Sequence, residues 1–135
     1  MKLKFSLLTI GSVALLILMS LVFTPVPIPD EGECLVDSGV VTNIYESGSK
    51  DITLILSGHR KRYYINRGLE RGLQLNEVGT ALLGRKVVIK YPDYWTPLDP
   101  KNSIRHVSKS ELDGQTIFTE LQTKAAEGLD PFREE

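Results

Sequence analysis

Residues 35–66, LVDSGVVTNIYESGSKDITLILSGHRKRYYIN, decide the fold class. Leu35 to Glu46 reads as an extended strand with Val36, Val40 and Ile44 on one face and Ser38 and Thr42 spaced between them. Ser47-Gly48-Ser49-Lys50 is turn chemistry. Asp51 to Ser57 then places Ile52, Leu54 and Leu56 on one side. Gly58-His59 makes a second tight turn, and Arg60 to Asn66 a third strand. Successive side chains of a strand point to opposite faces, so apolar residues at every second position, in runs cut by turn residues, mark β-strands.

Downstream of this stretch the period changes once. Arg67 to Gly84 spaces Leu69, Leu73, Val78, Ala81 and Leu82 in roughly helical steps. Asn76 suits an N-cap, Glu77 the first turn and Gly84 a terminator, which predicts a helix from about Glu77 to Leu83, with a turn of helix before it near Leu69. Lys86 to Tyr91 returns to period two, with Val87, Ile89 and Tyr91 on one face. Ile104 to Ser110 and Gln115 to Leu121 follow as a last strand or closing hairpin about the turn dipeptide Asp113-Gly114. The inward candidates are Val40, Ile44, Leu54, Leu56, Val87 and Ile89.

Three strands, a short helix, then two or more strands is an order that resembles the OB-fold, a five-stranded barrel. The resemblance covers residues 35 to 121 and rests on element order and length, not on a signature motif. An SH3-like barrel is the alternative. The layout is also similar to small bacterial membrane-anchored β-domain proteins. The expected fold class is therefore mainly β with one short helix, an OB-like five-stranded barrel after an N-terminal transmembrane helix.

The anchor is expected from Phe5 to Phe23, FSLLTIGSVALLILMSLVF, which is 19 residues without a charge. At 1.5 Å per residue it is roughly 28 Å long, about the thickness of a bilayer's hydrocarbon core. Its serines and threonine can bond back to their own helix. A cleaved signal peptide is the rival reading, giving a secreted or periplasmic protein. The apolar run exceeds the usual core of such a peptide, and Leu21-Val22-Phe23-Thr24-Pro25 offers no small-x-small cleavage site. Lys2 and Lys4 precede the run, whereas Asp30, Glu31, Glu33 and Asp37 follow it with no base before Lys50. The positive-inside rule then puts the N-terminus in the cytoplasm and the rest outside a cell (inner) membrane. The domains are 1–23, lysines and anchor; 24–33, a stalk whose Pro25, Pro27 and Pro29 favour extended backbone; 34–121, the β-domain; and 122–135, a polar tail.

Composition narrows the chemistry. The 135 residues carry a net charge of −1 and suit one compact domain. Residues 30–135 hold 14 bases and 17 acids, net −3, which argues against a general nucleic-acid binder. Cys34 is the single cysteine, and the only histidines, His59 and His106, lie far apart, so no metal-ligand spacing occurs. Cys34 sits among acids, which raise a thiol pKa, and no Gly-x-Ser-x-Gly is present. Gly79 to Lys86 has the glycines of a phosphate loop, but the lysine is displaced by one and the segment leads from helix into strand, the reverse of the required order. No catalytic residue, metal, cofactor or small-molecule substrate is expected, and the protein reads as a non-enzyme.

Two features remain as a candidate site. Residues 60–90 carry eight bases against two acids, net +6, between segments of net −5 and −4. Edge strands carry such bases merely to block aggregation. Tyr91 to Pro100, YPDYWTPLDP, holds the single tryptophan. In an OB-like barrel this loop flanks the face of the second and third strands. The candidate binding residues are Arg60, Arg62, Tyr94 and Trp95, against a protein partner or an anionic envelope polymer. Alternatively, Trp95 plugs the core. A structural accessory subunit of a membrane complex is the alternative function.

Overall fold

The structure, a computed structural model, describes residues 2–121, with the side chains of the first helix described from Ser6 onward. The polar tail falls outside the described residues. Helix α1 (Lys2–Val22) is followed by an extended proline segment and a 3-10 turn, Glu31–Glu33. Then come β1 (Leu35–Ser47), β2 (Asp51–Leu56), β3 (Arg62–Ile65), α2 (Leu75–Leu82), β4 (Lys86–Tyr91), β5 (Ile104–His106), β6 (Lys109–Leu112) and β7 (Gln115–Thr119). The protein is mainly β. Its sheet has seven strands in the open order β5-β3-β2-β1-β4-β6-β7, where five in a closed barrel were expected. The extra strands arise because the expected last strand is interrupted at Val107-Ser108 and then turns back as the β6–β7 hairpin. Asp113 and Gly114 make that turn with φ of 52° and 78°, the paired positive angles that match strand twist.

Strand β1 holds the sheet together. Its first half, Leu35–Val40, pairs antiparallel with β4, and its second half, Val41–Ser47, pairs antiparallel with β2. Between Val41 and Asn43 the register slips. An extra residue in one strand bends it and reverses which parity faces inward. Asp37, Gly39 and Val41 face in before the slip, and Ile44 after it. The expected face is therefore corrected: Val40 is 40% exposed, whereas Val41 is 1% exposed and Ile44 packs half-buried on the core. The remaining inward candidates, Leu54, Leu56, Val87 and Ile89, are buried. Gly39 lies where a Cβ would stand 3.2 Å from the Leu56 Cβ and 3.3 Å from the His59 ring, so the sheet closes tightly only over glycine.

Helix α2 starts two residues earlier than expected, with Gln74 in the cap position and no side-chain cap bond. Asn76 lies inside it, and its carbonyl accepts the Thr80 hydroxyl. Val78 and Leu82 bury its inner face, and Gly84 N–H donates to Val41 O, so the helix end is tied to the bend in β1. Strand β3 is shorter than expected, which leaves Arg60 and Lys61 outside it. Strand β5 lies parallel to β3, and β6 antiparallel to β4. The residues between them bond to both neighbours: Val107 N donates to Tyr64 O at 2.8 Å, and Ser108 N to Lys90 O at 2.9 Å.

Among the described residues no helix is long and apolar enough to cross a membrane. The described side chains of α1, from Ser6 to Val22, are uncharged and mostly apolar, broken by Ser6, Thr9, Ser12 and Ser20, and Leu8 and Leu16 are 70% and 69% exposed.

The core makes a graded prediction. Leu54→Ala, at a position with no exposure, lowers unfolding free energy by about 2–5 kcal/mol in denaturant titration. Val41→Ala costs more than Val40→Ala; the reverse order would place the bend in β1 elsewhere.

Candidate functional site: an aromatic groove on the outer sheet face

The outer face of β1, β2, β3 and β5 carries a row set by strand register. Tyr45 pairs with Thr53, Thr53 with Tyr64, and Tyr64 with His106. Arg62 stands one outward step from Tyr64 and pairs with Ile104. The loop between β4 and β5 folds over this face. A groove of about 750 Å³ opens there, lined by Tyr45, Thr53, Arg62, Tyr64, Tyr94, Trp95, Leu98 and Ile104. Leu21 and Val22 of α1, Thr24 to Pro27 of the stalk, and Ser47, Gly48 and Asp51 also line it.

Three of the four expected binding residues, Arg62, Tyr94 and Trp95, meet at this groove. Arg60 is exposed and does not line it; β3 begins only at Arg62, so Arg60 lies outside the strand whose face floors the groove. Trp95 is 57% exposed, so it is not a plug of the core. Tyr45 and Tyr64 were missed by the sequence reading. Period two alone places Tyr64 beside Arg62, so that signal was present. Tyr45 lies beyond the register slip, where the parity of β1 reverses.

The groove is held in shape by polar groups. Asp99 Oδ1 accepts the backbone N–H and hydroxyl of Ser103, at 3.0 and 2.7 Å, and Oδ2 accepts Ile104 N–H at 2.7 Å. Burial raises the Asp99 pKa, but these bonds outweigh it and hold the carboxyl below its ordinary range. Asp51 Oδ1 accepts Arg67 N–H at 2.8 Å. Both acids near the groove thus take up backbone donors, whereas Arg62 forms no salt bridge among the described residues. Arg105 Nη1 donates to Tyr94 O at 3.0 Å, and its guanidinium lies 5.5 Å from the Tyr91 ring centre. Burial, then the neighbouring Tyr94 phenol, raise the Tyr64 pKa. An aromatic floor and one exposed guanidinium without a salt bridge among the described residues, beside the Asp51 and Asp99 carboxylates, suit a partly apolar ligand with an anionic group that reaches Arg62.

A second polar cluster lies on the inner face. Asp37 Oδ2 accepts the hydroxyls of Tyr63 and Tyr91, at 2.7 and 2.8 Å, and Lys61 Nζ at 3.1 Å. Lys61 also donates to Tyr91 Oη at 2.9 Å. His59 bridges Tyr63 Oη, at 3.1 Å, and Ser38 O, at 3.0 Å. Burial raises the Asp37 pKa, but the two hydroxyls and Lys61 overcome it, so the net shift is down. Its hydrogen bond to Tyr91 raises Lys61, and burial raises both tyrosines. A nucleophilic lysine or tyrosinate needs the opposite shift. The cluster joins β1, β3 and β4 through the Asp37 carboxylate. His106, also outside any metal spacing, pairs with buried Glu120 at 2.6 Å.

No protein-family model, curated protein or solved structure matches the chain.

Asp37 gives the domain an acid-sensitive strut. A carboxylate with a lowered folded-state pKa adds stability above its unfolded pKa and loses it as pH falls through the folded value. Asp37→Ala lowers stability by about 2–3 kcal/mol at neutral pH. The gap from wild type narrows on acidification below about pH 4. A gap independent of pH in urea titrations would show that the carboxylate charge is not what matters.

Proposed function

We propose that this chain is a single-pass membrane protein whose extracytoplasmic β-domain binds a protein or an anionic envelope polymer through the groove around Arg62, Tyr94 and Trp95. The convergence of those three residues with Tyr45 and Tyr64 on one groove carries the reading. Aromatics and arginine supply most binding energy at interfaces, because they bury area and make directed hydrogen bonds.

The proposed anchor is the run Phe5 to Phe23, nearly all of which lies in α1. A mostly apolar helix whose Leu8 and Leu16 are left exposed by the described residues gains from an apolar solvent. In length alone its 21 residues reach about 31 Å, close to the thickness of a bilayer core. Lys2 and Lys4 orient it with the N-terminus inside.

The domain is OB-like. The helix between the third and fourth strands, the parallel β3–β5 pair and the antiparallel β1–β4 pair support this reading. So does the segment Ile104–Leu112, which bonds to β3 at Val107 and to β4 at Ser108 and acts as one fifth strand. In this fold ligands lie on the outer face of the second and third strands, between the first-to-second and fourth-to-fifth loops. The groove occupies that position.

Two measurements test the reading. Protease treatment of intact spheroplasts cleaves the β-domain if it lies outside, and leaves it whole if it lies inside. Trp95→Ala, at an exposed position, changes stability by less than about 1 kcal/mol and abolishes partner capture by the detergent-solubilised chain. Capture that survives both Trp95→Ala and Arg62→Ala would remove the groove from the reading.

A further inference from the structure

We infer that the anionic partner of this groove is the phospholipid of the membrane that holds α1, with the Tyr94–Leu98 loop seated in the headgroup layer. The inference rests on the anchored reading; it gives the same groove a lipid occupant in place of a protein or polymer, and the quenching test below separates the two. Its first support is the wall of the groove. Leu21 and Val22, in the last turn of the apolar helix, line the same cavity as Trp95 and Leu98. A cavity that begins on the last turn of a membrane helix opens where lipid headgroups lie. The second support is the residue types presented there. Trp95 is 57% and Leu98 71% exposed, and Phe23 and Ile104 are also exposed. Tryptophan and tyrosine concentrate at membrane–water boundaries because each has an apolar ring and a polar edge.

The third support is charge. Asp51 and Asp99 accept backbone N–H groups, while Arg62 has no carboxylate partner among the described residues. A phosphate takes two parallel N–H bonds from a guanidinium, and the aromatic floor accepts the first carbons of an acyl chain. The short stalk fixes the distance. Thr24 to Pro27 forms part of the groove wall, so the domain leans on the bilayer instead of standing off it.

Trp95 is the single tryptophan, so its emission reports this loop alone. The full chain is reconstituted into phosphatidylethanolamine–phosphatidylglycerol vesicles containing lipids brominated at shallow or deep acyl positions. Shallow bromines are expected to remove about half of the emission or more, deep bromines less, and aqueous iodide little. Arg62→Gln reduces the shallow quenching, and phosphatidylcholine vesicles do the same for the wild type. Flotation with the vesicles scores the anchor separately. If the chain floats while Trp95 is quenched by iodide and not by brominated lipid, the lipid assignment is overturned and the groove faces a partner from the aqueous side. A chain that does not float overturns the anchor and this inference with it.

Discussion

The bend in β1 is the constraint on which the rest of the domain depends. One strand pairs with β4 along its first half and β2 along its second, so the two parts of the sheet cannot lie in one plane. The slip between Val41 and Asn43 supplies the turn, and side-chain and backbone donors take up the disturbed ladder. Thr42 Oγ1 donates to Ile55 O at 3.2 Å, and Ser57 N to Val40 O at 2.8 Å. Val41 N donates to Arg85 O at 3.0 Å, which brings the end of α2 and the start of β4 to the same point. An unpaired backbone group buried here would cost as much as a lost hydrogen bond, so these substitutes are what make the bend tolerable.

From that bend the division of labour between faces follows. Residues of one parity in β2 and β3, including Leu54, Leu56, Tyr63 and Ile65, fill the core. Those of the other parity, Thr53, Arg62 and Tyr64, form the groove floor. The inner tyrosines, Tyr63 and Tyr91, bind the Asp37 carboxylate, and Arg105 links this cluster to the loop above by holding Tyr94 O while stacking on Tyr91. The loop is thus positioned from below by Arg105 and from its end by Asp99. Ordering it in advance lowers the entropy a ligand must overcome.

The sequence made the short-range features legible. Turns at residues 47–50 and 113–114, strands β2 and β4, and the helix between the third and fourth strands all follow from local period and turn chemistry. What it hid was non-local. Val36, Val40 and Ile44 keep perfect period two, yet the slip splits them, because a bulge leaves no residue signature when neither flanking position is glycine. The two-sided bonding of β1 and of residues 104–112 is likewise a matter of partners, not of propensity. In the site, Arg62, Tyr94 and Trp95 were legible because loop and strand each had a distinctive composition. Asp37 was not, because an isolated acid in a strand looks the same whether it faces solvent or two tyrosine hydroxyls.

Charge separates the groove from the rest of the basic segment. Lys90 and Lys109 both donate to Glu31, and Lys109 also reaches Glu111, so the outer face beyond β4 neutralises itself. Those hydrogen bonds, Lys109 first, lower the Glu31 pKa to about 2 and tie the 3-10 turn after the stalk to β4 and β6. Arg85 pairs with Asp113 across the sheet edge, and Arg67 with Glu70. Lys61 is committed to Asp37. The excess of positive charge in residues 60–90 is therefore mostly consumed by pairing within the fold, and β3 and β4 are interior strands, not edges. Arg62 differs because its strand position puts it on the groove lining, where Asp51 and Asp99 accept backbone N–H groups and form no salt bridge with it. Arg62 is itself exposed and keeps its hydration without a partner, so an anionic ligand gains from it only as far as the contact excludes water.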